Sequence, residues 1–204
     1  MYNLEEIKEK IVKIHNGDLN QIEIVFDNAE KIIVEAPAGC GKTKTMISKI
    51  AYILAINGIE STKKILALTF SVNASYKIKK DVSEQLPNII KCNENEAYKQ
   101  TDKIVVSNYH GFCRKILAKY GFLITMDKVD FNAVTAIQDT DSKLKEYGLN
   151  YEEVEYFKTF ENNVKNNNSE YVKENYLKYN EYVKKYLLAN QKITYNAIIM
   201  LAYE

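Results

Sequence analysis

Eight consecutive residues, Ala36-Pro37-Ala38-Gly39-Cys40-Gly41-Lys42-Thr43, constrain this chain more than any others. They stand directly after the apolar run Lys31-Ile32-Ile33-Val34-Glu35 and directly before Met46, Ile47, Ile50, Ile53 and Leu54, which recur at helical spacing. Strand, glycine loop and helix in that order are what a Walker A phosphate loop requires. Gly39 and Gly41 allow the backbone to curl so that several amide N–H groups point at one phosphate, reinforced by the positive end of the helix that follows. Lys42 is placed to reach the β- and γ-phosphates, and the Thr43 hydroxyl to ligate Mg²⁺. Ala36 replaces the first glycine of the usual G-x-x-x-x-G-K-S/T pattern. The bland alternative is a glycine-rich strand-to-helix turn with a solvated lysine; G-K-T at a helix start argues against it.

Composition sets wider bounds. At 204 residues and 46% apolar, the chain has length and apolar content for one large domain or two small ones. Net charge is +1, but residues 1–124 carry 18 basic and 14 acidic side chains, while residues 125–204 carry 10 and 13. A mildly basic first part is compatible with nucleic acid without demanding it. Cys40, Cys92 and Cys113 form no C-x-x-C pair, and two histidines leave no zinc constellation. The odd cysteine count points to a reducing compartment. No apolar leader opens the chain and no run of about 18 apolar residues occurs, so the expectation is a soluble, cytoplasmic protein without a membrane partner.

Leu4, Ile7, Ile11 and Ile14 predict a first helix stopped at Gly17, and Asp18 or Asn20 offers an N-cap for a second. Ile65 to Phe70 and Lys103 to Ser107 read as buried parallel strands. Helices are predicted from about Asn73 to Leu86, ending at Pro87, and from about Gly111 to Tyr120, with a polar loop over Lys91 to Thr101 between them. Three strands separated by helices thus fill residues 1–124, which implies parallel βαβ units. After Phe122 no buried strand is visible. Helical stretches around Phe131–Tyr147, Tyr151–Val164, Glu170–Ala189 and Tyr195–Tyr203 predict an all-helical subdomain over residues 125–204. Within it Val172, Tyr176, Tyr179, Val183 and Leu187 form a stripe that reads more readily as a helix-packing face than as a base-stacking platform.

Three further segments narrow the chemistry. Gln21 lies 21 residues before Lys42, and its side chain presents the acceptor and donors that match the N6 amino group and N7 of adenine. Thr69-Phe70-Ser71-Val72-Asn73-Ala74 ends the second strand, and Ser107-Asn108-Tyr109-His110-Gly111 ends the third, both at carboxyl ends where open α/β sheets bind ligands. Together these resemble the first RecA-like domain of superfamily 1 helicases of the UvrD/Rep/PcrA type. The phosphate loop is similar to that family's A-G-A-G-S-G-K-T, with Pro37 in place of a glycine and Cys40 in place of a serine. Gln21 falls at the Q motif, residues 69–74 look like motif Ia, and Asn108 to Gly111 look like motif Ib, with Asn108 and Tyr109 standing for Thr and Phe. Residues 193–199 are similar to the helix that closes the family's helical insertion, so the resemblance spans the whole chain.

The resemblance implies an α/β fold, a P-loop NTPase (RecA-like) parallel sheet over residues 1–124 with flanking helices, plus an all-helical inserted subdomain over residues 125–204. It implies ATP and Mg²⁺ as cofactors, bound by Gln21, Ala38, Gly39, Cys40, Gly41, Lys42, Thr43 and Lys44, with Lys42 and Thr43 catalytic and Thr43 on the metal. It implies single-stranded DNA as partner, with Phe70 and Tyr109 stacking and Asn73 and His110 contacting phosphates. From residue type alone Phe70 also reads as a core residue, Tyr109 as packing under the sheet and His110 as a structural histidine. No apolar strand ending in Asp-Glu is present, and the only arginine is Arg114. The expectation is therefore the amino-terminal part of an ATP-dependent 3′→5′ DNA helicase, stopping before Walker B, that binds nucleotide and turns it over very slowly. Two other readings stay open: a non-enzymatic helicase-like module that docks a partner, for instance in phage defence, and a small P-loop kinase or NTPase.

Overall fold

The computed structural model describes residues 3–56, 58–60, 62–90, 101–125 and 129–204. By internal packing these form two units, Met1–Asn108 and Tyr109–Glu204. The loop predicted over Lys91 to Thr101 lies, but for Thr101, outside the described residues, as does Cys92.

In the first unit side-chain caps set the helix starts. Asn3 accepts from the Glu6 amide and Asp18 from the Gln21 amide, opening α1 (Leu4–Ile14) and α2 (Leu19–Phe26). Next come α3 (Lys42–Ala55), β1 (Ile65–Thr69), α4 (Val72–Ile90) and β2 (Ile104–Asn108). Strands β1 and β2 pair in parallel, in register from Ile65 opposite Ile104 to Thr69 opposite Asn108. The core is built from helix stripes: Ile7 and Ile11 of α1, Val25 of α2, Ile47, Ile50 and Leu54 of α3, and Val82, Leu86, Ile89 and Ile90 of α4. Each such side chain contributes about 1.5–3 kcal/mol by leaving water.

Two expectations for this unit are corrected. Residues 31–35 form no strand, and Ile33 is 90% exposed. Among the described residues no strand lies alongside to supply ladder hydrogen bonds, and an apolar run without that ladder stays irregular. Helix α4 also runs through Pro87 instead of ending before it. The proline removes one backbone donor near the helix end, and burial of Leu86, Ile89 and Ile90 outweighs that loss.

The second unit holds α5 (Tyr109–Tyr120), a 3₁₀ turn (Gly121–Leu123), β3 (Thr135–Ile137), α6 (Asp141–Glu146), α7 (Tyr151–Lys165), α8 (Ser169–Tyr182), a π turn (Val183–Leu187), a second 3₁₀ turn (Leu188–Asn190), β4 (Lys192–Thr194) and α9 (Tyr195–Tyr203). It is thus not all-helical. Strands β3 and β4 pair in parallel, Thr135 opposite Lys192 and Ile137 opposite Thr194. Each is three residues long, too short to stand out as a period-2 pattern, and their pairing is set by the surrounding tertiary packing. The helix expected over residues 131–147 shrinks accordingly to α6.

The start of α7 is set locally. Asn150 and Glu153 form a capping box at α7, with both bonds at 2.9 Å. The Tyr186 hydroxyl donates to the same Glu153 carboxylate and holds its pKa below the usual range. The tyrosine stripe of α8 is a packing face. Tyr179 stacks on Phe160 at 4.0 Å between ring centroids, with Phe157 tilted beside it at 4.8 Å, and Val183 and Leu187 are buried with them.

This core encloses a carboxylate. Glu161 is 2% exposed and accepts from the Tyr179 hydroxyl, the Thr194 hydroxyl (2.7 Å) and the Asn196 amide. Thr194 in turn caps α9 by accepting from the Ala197 amide at 3.2 Å. Burial, with the carboxylate alongside, pushes the Tyr179 hydroxyl pKa well above its ordinary value, so Tyr179 remains a donor at any physiological pH. Among the described residues no helix is long and apolar enough to cross a membrane.

Replacing Phe160 by Ala is expected to destabilise the protein by about 3–5 kcal/mol in denaturant unfolding, because it opens a cavity against Tyr179. Glu161→Ala leaves three donors without their acceptor and is expected to cost about 2–4 kcal/mol. Glu161→Gln keeps an acceptor oxygen and is expected to cost less than half of that in the same measurement.

Candidate functional site

The glycine loop has the backbone its sequence demands. Gly39 and Gly41 sit at φ of 85° and 74°, in the left-handed region that favours glycine. Gly41 is also the N-cap of α3, and its carbonyl accepts the first helical bond from Thr45 at 2.9 Å. A Cβ at Gly41 would lie 3.2 Å from the Gln21 side-chain oxygen, so this position needs glycine for closeness as well as for conformation. Lys42 and Thr43 therefore open a 14-residue helix whose first-turn N–H groups have no intrahelical partner. Ala38, Cys40, Lys42 and Lys44 are exposed, and Thr43 is half-buried. The Lys42 ammonium folds back on its own loop, donating to the Ala36 carbonyl at 2.5 Å and the Pro37 carbonyl at 2.6 Å.

Gln21 is brought against the loop by α2, but it is not a free side chain there. Its Nε2 donates to Asp18 Oδ2 at 2.8 Å, and lies 3.5 Å from the Cys40 carbonyl. Its Oε1 lies 2.6 Å from His15 Nδ1 and 3.2 Å from the Thr45 hydroxyl. His15 is 4% exposed and reaches the Ser48 hydroxyl through Nε2 at 2.9 Å. Sequence reading missed His15, Thr45 and Ser48. The one available signal was Asp18 as an N-cap; nothing in residue type or spacing marks a histidine just past a helix end as its partner.

Beside the loop a cleft of about 650 Å³ opens within the first unit. Its walls are mostly apolar, with Ile32 and Val34 from the irregular segment, Ile50 and Ile53 from α3, and Ile65 and Leu66 from β1, while Gln21, Lys42 and Thr45 line its loop end. Among the described residues no three His, Cys, Asp or Glu side chains converge on a metal position.

The strand-end residues separate in character. Phe70 follows β1 and is 92% exposed, so it is not a core residue. Ser71 caps α4 by accepting from the Ala74 amide at 3.1 Å, leaving Asn73 exposed in the first helical turn with Val72 and Tyr76 also exposed. Lys79 lies over the Tyr76 ring at 5.7 Å. In the second unit Tyr109 and His110 open α5; Tyr109 is exposed, while His110 is half-buried and meets Tyr195 edge-on at 5.2 Å. Arg114 is engaged within that unit, donating to the Val134 carbonyl.

Comparison with known proteins places the chain in a family. A family model described as "UvrD/REP helicase N-terminal domain" matches residues 18–204. The chain is 28% identical over 104 residues to the "ATP-dependent DNA helicase SRS2" of Saccharomyces cerevisiae, covering 51% of this chain and 8% of that protein. It is 27% identical over 129 residues to the "Exonuclease/helicase subunit RexA" of Streptococcus pneumoniae serotype 4, covering 59% and 10%. An ATP-dependent helicase/nuclease polypeptide of Streptococcus sanguinis is 27% identical over 112 residues, covering 51% and 9%. The matched part thus spans about a tenth or less of these relatives' length. With the family match running over nearly all of its length, the chain belongs to the UvrD/REP helicase N-terminal domain family.

Proposed function

We propose that this chain is the ATP-binding and single-stranded-DNA-contacting amino-terminal portion of an ATP-dependent 3′→5′ DNA helicase or translocase, built on a RecA-like P-loop domain. The observation that carries the proposal is the opening of α3: left-handed Gly41, then Lys42 and Thr43, with Gln21 against the same glycine. The loop amides and the first turn of α3 would take the phosphates, with Lys42 exchanging the Ala36 and Pro37 carbonyls for phosphate oxygens. Thr43 would offer its hydroxyl to Mg²⁺, which neutralises phosphate charge when bound.

Turnover is a separate matter. Phosphoryl transfer needs a carboxylate to hold the metal, a group to orient the water and arginine near the γ-phosphate. Arg114, the only arginine, is occupied at the Val134 carbonyl, and no Asp-Glu strand end occurs in the sequence. We read the apolar cleft beside residues 32–34 as room for further strands of the parent sheet. DNA contact rests on exposed Phe70 with Asn73 in the first unit, and on Tyr109 with His110 in the second.

The test is a pair of titrations on the purified chain. Lys42→Ala is expected to weaken binding of a fluorescent ATP at least tenfold while leaving DNA binding intact. Phe70→Ala is expected to weaken single-stranded DNA by about 1–3 kcal/mol, the range for one lost stacking contact, with ATP binding unchanged. Unaltered affinity in both variants would remove the site assignments, and a steady-state ATPase rate at the level of an intact helicase would remove the separation of binding from turnover.

A further inference from the structure

Helix α4 has two unlike faces. Ser75, Val82, Leu86 and Ile89 are buried at helical spacing, with Ile78 packed against the same core. Val72, Tyr76 and Lys79 recur at i, i+4 and i+7 on an exposed side, where Tyr76 is 66% exposed. Exposed Phe70 stands two residues before the first of them, so three large apolar side chains follow one another in the open at the start of one helix. Charge is also one-sided there. From Val72 to Lys80 the chain carries Lys77, Lys79 and Lys80 and no acidic residue. Lys80 turns to Glu84 at 3.8 Å, whereas the Lys79 ammonium lies over the Tyr76 ring at 5.7 Å and, among the described residues, meets no carboxylate.

We infer that this face of α4 carries a second stacking position for single-stranded DNA, with Tyr76 taking a base against its ring and Lys79 pairing with the adjoining phosphate. The inference rests on the reading of Phe70 and Asn73 as DNA contacts and extends their path along the helix. At a rise of about 1.5 Å per residue, Tyr76 lies about 6 Å beyond Val72 along the axis, within the span of two nucleotides. A cation over an exposed ring is weakly held, so a phosphate draws Lys79 away at little cost. Ring and ammonium already stand side by side, which matches the apolar face and the charge that every nucleotide presents together. An acidic peptide would use the lysines and leave the ring idle; an apolar partner would use the ring and bury the ammonium. In duplex DNA the base faces are covered by their neighbours, so the ring is useful to a single strand alone.

Fluorescence-anisotropy titrations of the whole chain with an oligothymidylate of about twelve nucleotides, free and annealed to its complement, test this. Tyr76→Ala is expected to weaken the single strand by about fivefold or more, the effect of one lost stacking contact, and to leave duplex affinity unchanged. Tyr76→Phe keeps the ring and is expected to bind the single strand within about twofold of the unaltered chain. Lys79→Gln is expected to lower the slope of log affinity against log salt by about 0.7, the share of one phosphate on a single strand. Both side chains are exposed and lie off the buried face of α4, so none of these changes touches the core. Unchanged single-strand affinity in Tyr76→Ala, with Phe70→Ala still weakening it, removes the second position and leaves the DNA reading standing. Equal losses on single strand and duplex, or a loss confined to Lys79→Gln, mark a purely electrostatic surface and overturn the inference. If the unaltered chain binds no oligonucleotide, the DNA reading itself falls and this position falls with it.

Discussion

The left-handed backbone of Gly41 is the constraint on which the first unit turns. It ends the loop, starts α3 and leaves its α-carbon bare, so Gln21 can press where a Cβ would stand 3.2 Å away. Because α3 starts there, its buried stripe of Ile47, Ile50 and Leu54 is delivered to α1, α2 and α4 in one register. The His15–Gln21–Thr45–Ser48 contacts then tie the end of α1, the start of α2 and the first two turns of α3 at one point. A side chain at position 41 would strain the φ of 74° and displace Gln21 in the same step. Geometry of the glycine loop and packing of α1, α2 and α3 are therefore one problem, and the same glycine solves both.

Where local chemistry decides a structure, the sequence announced it. Asp18 caps α2, the glycine loop turns left-handed, and the apolar runs at 65–69 and 104–108 pair in parallel. Each signal acts within a few residues or through a run of strand formers. The failures share a different cause. Ile32 to Val34 have strand composition, yet a strand also needs a neighbour, which composition cannot state. Pro87 reads as a terminator, and burial of Leu86, Ile89 and Ile90 carries the helix past it. Strands β3 and β4 lie some 55 residues apart in sequence and are three residues long, so only tertiary pairing reveals them. The candidate site divides the same way: Gln21 stands out in the sequence by its side-chain chemistry, and only the folded structure shows what holds it.

The second unit follows another logic, with its specificity buried in a polar network. Glu161 sits among Phe157, Phe160 and Tyr179, where an unpaired charge would be costly, and it is met by three donors from α8, β4 and α9. Those donors are separated from it by 18, 33 and 35 residues, so the carboxylate is satisfied only when α7, α8 and the β4–α9 corner are all in place. Apolar contacts alone tolerate sliding; a carboxylate that requires three particular partners does not. The tyrosines of α8 thereby serve the core.

The position of Lys42 bears on how a ligand would be recognised at the loop. Its ammonium rests on the Ala36 and Pro37 carbonyls, two uncharged acceptors supplied by the loop itself. A phosphate brings charged acceptors, and hydrogen bonds to ionised partners are roughly twice as strong as those between neutral groups. Exchange of carbonyl for phosphate is thus favourable without any new donor being made. A neutral ligand offers no such gain, since it would replace one uncharged acceptor by another while displacing bonds already formed. The loop carbonyls at Lys42 would thus give way to a charged ligand more readily than to a neutral one.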